Sequence, residues 1–207
     1  LATYNGSLFL EEQLDSIFAQ SEVNVKILVS DDHSDDKSPQ LLNNFIKCNT
    51  NIDILASNLR TGSAGQNFFQ LIRNCEYKDF DYIAFSDQDD IWLKNKLSNG
   101  IKCLQNSSAC GYSCSALAFW DSGKEKLLTQ NKSIRNLDFL FEGAGQGCTF
   151  ILKRSFFSEV QKFCIDKKNM TDIFYYHDWL IYLLARANCK KWFFDERSFI
   201  RYRQHAN

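Results

Sequence analysis

The chain has 207 residues, of which 44% are hydrophobic, 14% aromatic and 24% charged, so we expect one globular domain and not a disordered segment. Its 24 basic and 25 acidic residues give a formal net charge of -1. This balance leaves no excess of positive charge to hold a nucleic-acid backbone, and nucleic acid is not an expected partner.

The cysteines and the apolar segments argue against two further classes of protein, those with a cysteine–histidine zinc site and those that span a membrane. The eight cysteines include no C-x-x-C pair and have no histidine placed to complete a zinc set, so we interpret them as reduced, mostly buried thiols of a cytoplasmic protein. No segment approaches the ~20 consecutive apolar residues that a membrane-spanning helix needs. A membrane-spanning segment is therefore not predicted.

Strand-like and helix-like segments alternate through the first half of the chain. A first helix is predicted from the apolar face formed by Leu10, Leu14, Ile17 and Phe18. An extended run follows at 25–30, and a second helix is predicted to begin at Ser38-Pro39, with Ser38 as its N-cap and Pro39 at its first position. Its inward face is expected to consist of Leu41, Leu42, Phe45 and Ile46.

The remaining elements complete an α/β pattern. A strand at 52–55, a helix carrying Phe68, Phe69, Leu71 and Ile72, and a buried strand at 82–85 are predicted in turn. The second half predicts strands at 111–119 and 148–152, a helix at 177–187, and a polar surface loop from Asp121 to about Asn136. We expect a single domain over 1–207 with a mostly parallel central sheet flanked by helices.

Acidic clusters stand at the ends of these elements. Asp31-Asp32 and Asp87-Gln88-Asp89-Asp90 each follow an apolar strand, and Asp178 opens a late helix. Ligands of open parallel sheets bind outside the carboxyl ends of the strands. The clusters are therefore expected to converge on one crevice.

The Asp87-Gln88-Asp89 cluster has the chemistry of a metal site. Carboxylates are the hard oxygen ligands that Mg²⁺ or Mn²⁺ prefers, and such a cation could bridge them to a diphosphate, with Asp89 as the preferred direct ligand. An isolated D-x-D is more often a loop turn or a helix N-cap. The segment 31–36 is open to two interpretations, an Asx-turn with solvated charges or a nucleoside pocket.

Three motifs in the first half resemble a known family. ATYNG at 2–6, SDDHSDD at 30–36 and YIAFSDQDDIW at 82–92 closely resemble, in this order, the family 2 glycosyltransferases. GQGCTF at 145–150, HDW at 177–179 and YRQH at 202–205 look most like the bacterial rhamnosyltransferase-like branch. The resemblance implies the A-type nucleotide-sugar fold, a divalent cation (Mg²⁺ or Mn²⁺) and inversion at the anomeric carbon of the sugar. It places nucleotide-sugar binding at about 1–105 and acceptor binding at about 106–207.

The resemblance also implies roles for individual residues. Tyr4 matches the position whose ring lies against the base, and Asp32 the base-binding carboxylate, with Asp31 able to share that task. Asp87 and Asp89 match the D-x-D pair, and Asp178 the catalytic base. The other residues expected to contact substrate are Asn5, Asn67, Gln88, His177 and Trp179.

Three histidine positions leave alternatives open. His177 replaces the usual Glu before the catalytic Asp, where it could alter the pKa of that carboxylate or contact the acceptor. His33 stands where Gly is commonest, and a solvated turn residue is the favoured interpretation. His205 could complete the metal shell or be a tail residue.

Two arginines near the end of the chain are also open to two interpretations. Arg201 and Arg203, on one side of a strand, could bind phosphate or be solvated.

The expected partners follow from the resemblance. A dTDP- or UDP-sugar is the expected donor, with dTDP-rhamnose first. The acceptor is expected to be a glycan or a lipid-linked glycan in cell-surface polysaccharide synthesis. The protein itself is expected in the cytoplasm, where the inner face of the membrane is one candidate location. The alternatives are a nucleotidyltransferase of the same fold, a phosphatase of the haloacid dehalogenase type and a non-enzymatic sugar-binding domain.

Overall fold

A computed structural model of the chain describes residues 1–130 and 134–205. The first half forms a small parallel sheet in the order β1-β2-β3, with each strand followed by a helix. Its elements are β1 (Ala2–Thr3), α1 (Leu10–Phe18), β2 (Ile27–Asp31), α2 (Ser38–Cys48), β3 (Ile52–Ile54) and α3 (Ala64–Asn74). The helices predicted from Leu10, from Ser38 and around Phe68 are confirmed, as are the strands predicted at 25–30 and 52–55, whereas β1 was not predicted.

A second, six-stranded sheet has the order β4-β8-β6-β9-β5, with β7 paired to β6. Its strands are β4 (Tyr82–Ala84), β5 (Ile91–Trp92), β6 (Ala109–Phe119), β7 (Glu125–Leu128), β8 (Ile151–Lys153) and β9 (Lys191–Arg203). The helices between them are α4 (Lys96–Gln105), α5 (Arg154–Asp166), α6 (Lys168–Thr171) and α7 (His177–Ala187). The helix predicted at 177–187 is confirmed.

The α/β class is confirmed, but strand pairing in the second half differs from the mostly parallel sheet that we expected. Among the described residues of that half, only β6 and β9 pair in parallel, whereas β4–β8, β5–β9, β6–β7 and β6–β8 are antiparallel. The β6–β7 connection is a tight turn in which Gly123 adopts φ +80, and short hairpins of this kind produce antiparallel pairs. Pairing over long sequence distances leaves no local signal.

The prediction of a loop from Asp121 to about Asn136 was wrong in part, because this segment contains the strand β7. Its residues 131–133 lie outside the described part of the chain. The strand predicted at 148–152 begins only at Ile151, after a 3₁₀ turn at Gly147–Thr149. That turn approaches the start of α7 closely at Gly147.

Helices cover both faces of the sheets and form two apolar clusters. The first contains Leu10, Leu14 and Ile17 of α1, which are buried as predicted. In α2, Leu42 is buried and Phe45 stacks on Phe18, but Ile46 is exposed, contrary to expectation. The second cluster is built mainly by the following apolar residues of α3, α5 and α7: Phe68, Phe69, Phe156, Phe157, Leu180 and Ile181.

The start of α2 also differs from the prediction in detail. Ser38 is the first helical residue and not the N-cap. The Asp36 carboxylate accepts hydrogen bonds from the amides of Ser38 (2.8 Å) and Ser7 (2.9 Å), while the Ser38 hydroxyl accepts one from the Gly6 amide (2.9 Å). These bonds fasten the loop after β1 to the start of α2. Within the described ranges, no helix has the length and apolar character to cross a bilayer.

Candidate active site

The loops after β1 and β2 interlock at the carboxyl ends of these strands. The Asn5 amide donates to the Ser34 hydroxyl (2.8 Å), and the Asn5 side-chain oxygen accepts from the Asp35 amide (3.0 Å). Asp31 accepts from both the amide and the hydroxyl of Ser34. Asn5 and Asp31 therefore have structural tasks in addition to the substrate contacts expected of them.

Asp32 is buried and joins the end of β2 to the loop before α3. Its two carboxylate oxygens accept hydrogen bonds from the amides of Thr61 and Gly62. His33 next to it is exposed and adopts φ +60, a left-handed conformation that glycine adopts without strain, which explains why Gly suits this position. The turn orients the Asp32 carboxylate toward the 61–62 loop.

Tyr4 is half-exposed at the edge of this loop. The Arg60 guanidinium lies over its ring, 4.2 Å from the ring centroid. Sequence reasoning missed Arg60, since a single arginine in a polar loop gives no signal. A cation stacked on an exposed ring leaves the other face of the ring for a flat ligand.

Gln88 and Asn67, both expected to contact substrate, make hydrogen bonds to neighbouring groups of the protein. Gln88 Oε1 accepts from the Thr3 hydroxyl and from the Tyr4 amide, both at 2.8 Å. Asn67 is buried, and its side-chain nitrogen donates to the Ser30 carbonyl (3.0 Å) and the Thr3 carbonyl (3.3 Å). Both side chains hold the ends of β1 and β2 at the site.

The C-terminal end of β9 is fastened to the acidic loop after β4. His205 Nε2 lies 2.6 Å from Asp89 Oδ2. The Arg203 amide donates to Asp90 Oδ1 (3.2 Å), and its guanidinium donates to the Asp89 carbonyl (3.0 Å) and to Glu12 (2.6 Å). The structure thus brings together Asp89 and His205, which one of the two interpretations of His205 places in the same metal shell.

Asp87, Asp90 and the Cys148 thiol form a compact group, with one ligand atom of each within 4.8 Å of the others. Burial, and then the charge of Asp89, raises the pKa of Asp87 to about 7. Burial, followed by the charge of Asp87, raises the pKa of Asp90 to about 8. Sequence reasoning assigned no role to Asp90 or Cys148, and nothing in their spacing indicates that they meet.

The acidic loop at 87–90 fits a hard divalent cation. Asp90 Oδ2 is buried and has no hydrogen-bond partner among the described residues, and a cation would stabilise the clustered carboxylates. The Cys148 thiol is a poor ligand for Mg²⁺ or Mn²⁺, and burial raises its pKa well above the usual value. The nearby Lys96 ammonium is buried over the Trp92 ring, 3.5 Å from its centroid, and makes no hydrogen bond to any part of the chain that the structure describes.

Asp178 lies in the first turn of α7, close enough to the acidic loop for its charge to raise the pKa of Asp87. Its Oδ1 accepts a hydrogen bond from the Trp179 amide (2.8 Å), and burial raises its own pKa. The Trp179 indole donates to the Phe139 carbonyl (2.8 Å), which fixes the ring against the segment before the glycine loop. The turn at Gly147 passes so near that a Cβ there would lie 3.1 Å from Asp178 Cβ.

His177 is packed in the apolar core beside Asp178. Its ring stacks on Phe68 at 3.9 Å between centroids and lies 5.6 Å from the Phe85 ring. Burial lowers its pKa to about 3, so the ring is neutral. The ring thus lies among apolar neighbours in this conformation, and both an acceptor contact and an effect on the pKa of Asp178 stay predictions.

Arg201 and Arg203 lie on one side of β9, as the alternation predicted, and both guanidinium groups contact the Phe119 ring. Each is held by a carboxylate, Arg201 by Glu125 (3.0 Å) and Arg203 by Glu12 (2.6 Å). The two side chains are therefore neither simply solvated nor free for a phosphate in this conformation.

Comparison with known proteins gives a consistent match. A family model described as glycosyl transferase family 2 matches residues 1–161. The dTDP-rhamnosyl transferase RfbG of Shigella flexneri is 40% identical over 208 residues, which cover 100% of this chain and 72% of the relative. The UDP-Glc:alpha-D-GlcNAc-diphosphoundecaprenol beta-1,3-glucosyltransferase WfgD of Escherichia coli is 29% identical over 157 residues, covering 75% of this chain and 59% of the relative.

Solved structures show the same fold. TarS of S. aureus, residues 1–349, in complex with UDP-GlcNAc superposes with a TM-score of 0.69 at 14% identity, covering 100% of this chain and 58% of that chain. The mannosyltransferase PcManGT from Pyrobaculum calidifontis, in complex with GDP-Man and Mn²⁺, has a TM-score of 0.55 at 19% identity, covering 77% of this chain and 44% of that chain. The chain thus spans little more than half of the TarS 1–349 chain and less than half of PcManGT.

Proposed function

Because the chain belongs to glycosyltransferase family 2, we propose that it transfers a sugar, with inversion, from a nucleotide-diphosphate donor to an acceptor hydroxyl with the help of a divalent cation. The observation that carries this proposal is that the turn at Gly147 and Cys148 links the start of α7 to the acidic loop after β4, while His205 contacts Asp89. Asp178 lies beside Gly147, and the Cys148 thiol lies beside Asp87. These acidic residues, from two separate elements, would provide the cation site and the base that a group transfer of this kind needs.

The donor end of the site is formed by the loops after β1 and β2. The Tyr4 ring would lie against the base, and the Asp32 carboxylate, held by the Thr61 and Gly62 amides, would accept the imide N–H of thymine or uracil. Asp31, fixed by Ser34, would share this task. Asn5, Asn67 and Gln88 would act by positioning these loops.

Asp89, Asp87 and His205 would hold the cation, Mg²⁺ or Mn²⁺. When bound, it would supply positive charge for the diphosphate leaving group. His205 and Asp89 are already in contact at 2.6 Å, so the end of β9 would be held over the diphosphate. The buried Asp90, which bonds the Arg203 amide, would keep that strand end in place.

Asp178 would take the proton from the acceptor hydroxyl. A general base works best when its pKa approaches the operating pH, and burial raises the pKa of Asp178 in that direction. Its bond to the Trp179 amide fixes the carboxylate at the N-terminus of α7. Trp179 would border the acceptor, whereas the buried His177 would support Asp178 only through packing.

The relatives support a narrower choice of substrates. The dTDP-rhamnosyl transferase that covers the whole chain favours dTDP-rhamnose, with UDP-sugars as the alternative. The Escherichia coli relative acts on a diphosphoundecaprenol-linked sugar by its name, which favours a lipid-linked acceptor at the cytoplasmic face of a membrane. The family match favours glycosyl transfer over a nucleotidyltransferase, a phosphatase or a sugar-binding domain without activity.

A donor screen tests the proposed function. The chain would be incubated with Mn²⁺ and dTDP-rhamnose, UDP-glucose, UDP-galactose or UDP-N-acetylglucosamine, and release of nucleoside diphosphate would be measured. We expect the fastest release from dTDP-rhamnose. Release of inorganic phosphate instead would favour the phosphatase, and absence of release from every donor would contradict a transferase.

Asp32→Ala is expected to weaken binding of dTDP and UDP by roughly 10- to 100-fold, because a hydrogen bond to a charged group contributes ~1.5–3 kcal/mol. The requirement for a cation should remain. Titration calorimetry would measure both effects. Asp35→Ala in the same loop, where the side chain is exposed, is the matched control and should bind as the parent does. Unchanged affinity of Asp32→Ala for both nucleotides would exclude contact between this carboxylate and the base.

A further inference from the structure

The first turn of α3 is in contact with the segment that leads to Asp178. Gln66 Nε2 lies within hydrogen-bond distance of three main-chain carbonyl oxygens of this segment, those of Thr171 (2.9 Å), Asp172 (3.2 Å) and Phe174 (2.9 Å). The preceding residue, Gly65, approaches so closely that a Cβ there would collide with the Tyr175 carbonyl. These contacts involve the main chain of the segment and do not depend on its side chains.

Residues 168–176 depend on other elements for their position. α6 is a single turn of four residues, too short to be stable alone, and the last carbonyls of a helix have no partner within it. The side chains of the segment are exposed except those of Thr171 and Phe174. Gln66 supplies donors from another helix, and Arg73 of that helix adds a bond to the Thr171 hydroxyl (3.1 Å).

The same turn of α3 is tied to the carboxylate proposed to bind the nucleobase. The Thr61 and Gly62 amides donate to Asp32. The hydroxyl of Ser63, the N-cap of α3, accepts from the Gln66 amide (3.2 Å). This bond uses the main chain of Gln66, so a change of the Gln66 side chain leaves the nucleotide end of the turn in place.

The segment held by Gln66 sets where α7 begins. Tyr176 is the N-cap of α7, and its carbonyl accepts a hydrogen bond from the Leu180 amide (3.3 Å). Asp178 is the second residue of that helix. Because only residues 175 and 176 separate Phe174 from α7, a shift of the main chain at Phe174 would move the Asp178 carboxylate.

We infer that Gln66 is a positioning residue for the base Asp178. It holds residues 171–176 against α3, and through them it fixes the Asp178 carboxylate relative to the nucleotide pocket at Asp32. The inference rests on the proposed function, in which Asp178 takes the proton of the acceptor hydroxyl. A single helix turn thus aligns the donor with the base, and such alignment is what a direct displacement requires.

Gln66→Met is the test variant, because methionine keeps the length and the helix propensity of glutamine and removes the N–H donors. Gln70→Met, one turn later in α3, is the matched control. Without substrate, amide exchange at Ile173 and Phe174, which bond within the segment, is expected to be roughly 10-fold faster in Gln66→Met, since the lost bonds no longer hold the segment closed. The control should exchange as the parent does. Unchanged exchange in Gln66→Met would overturn the inference.

Kinetics then test whether the contact acts on the base. With dTDP-rhamnose and saturating Mn²⁺, Gln66→Met is expected to lower the rate of dTDP release by about 10- to 100-fold, since a displacement of ~1 Å can cost ~10²-fold, while dTDP affinity stays unchanged. In an Asp178→Asn background the same change should have little further effect, because the two residues act as one unit.

Two results separate this inference from the proposed function. Equal losses of rate in the two backgrounds would overturn the inference, because Gln66 would then act independently of Asp178. If the parent released no nucleotide from any donor, the proposed function would fail. Faster exchange in Gln66→Met would in that case still support the link between α3 and residues 171–176.

Discussion

Asp178→Asn is expected to lower the rate of sugar transfer by about 10²-fold or more, the typical contribution of a positioned base, while donor binding stays unchanged. Asparagine keeps the size of the side chain and an oxygen that can accept from the Trp179 amide, as Asp178 Oδ1 does at 2.8 Å. It removes the negative charge and, with it, the ability to take a proton. Steady-state kinetics, with donor affinity measured separately, would distinguish these effects.

The control for this experiment is Asp172→Asn, which changes a carboxylate paired with Arg73 and Lys168 at the end of α6. Surface ion pairs contribute little to stability, so transfer and Tm should stay near those of the parent. Near-normal transfer by Asp178→Asn would refute the assignment of the base. A lower Tm without a specific loss of turnover would indicate that Asp178 serves only the start of α7.

Local features of the fold could be predicted from the sequence because their signals lie within a few residues. The spacing of Leu10, Leu14 and Ile17 indicates a buried helical face, and these side chains are buried. The helix predicted at 177–187 has the predicted bounds. Helical periodicity and the position of acidic residues directly after apolar runs are enough for such predictions.

Contacts between distant segments could not be predicted in the same way. β4 pairs with β8, about seventy residues later in the chain, and this pairing makes the second half of the sheet mainly antiparallel. His205 and Asp89 are separated by 116 positions, so the sequence left the role of His205 open between ligand and tail residue. The pairing of Asp87 with Cys148 likewise depends on how the 3₁₀ turn before β8 packs.

The site residues show a further limit of sequence reasoning. Gln88 stands between two acidic residues and was expected to contact substrate, but its side-chain oxygen binds Thr3 and Tyr4. His177 stands beside the proposed base and is instead stacked on Phe68. A motif defines which residues are near a site. The direction of each side chain depends on neighbours that the motif does not contain.

Asp89→Ala is expected to lower donor turnover by about 10²-fold or more, since a bound cation contributes several kcal/mol of charge stabilisation and a methyl group cannot replace its oxygen ligand. His205 would lose its partner at 2.6 Å as well. Asp121→Ala, an exposed carboxylate in the turn between β6 and β7, is the control and should leave turnover unchanged.

The most direct test of metal-assisted glycosyl transfer is the rate of dTDP release from dTDP-rhamnose, measured in the parent chain as Mn²⁺ is titrated in and then removed with excess chelator. Release is expected to rise with Mn²⁺, to fall to the background rate in chelator, and to recover when Mn²⁺ is restored. Asp89→Ala should stay near background at Mn²⁺ concentrations that saturate the parent. Full turnover in excess chelator would contradict the account.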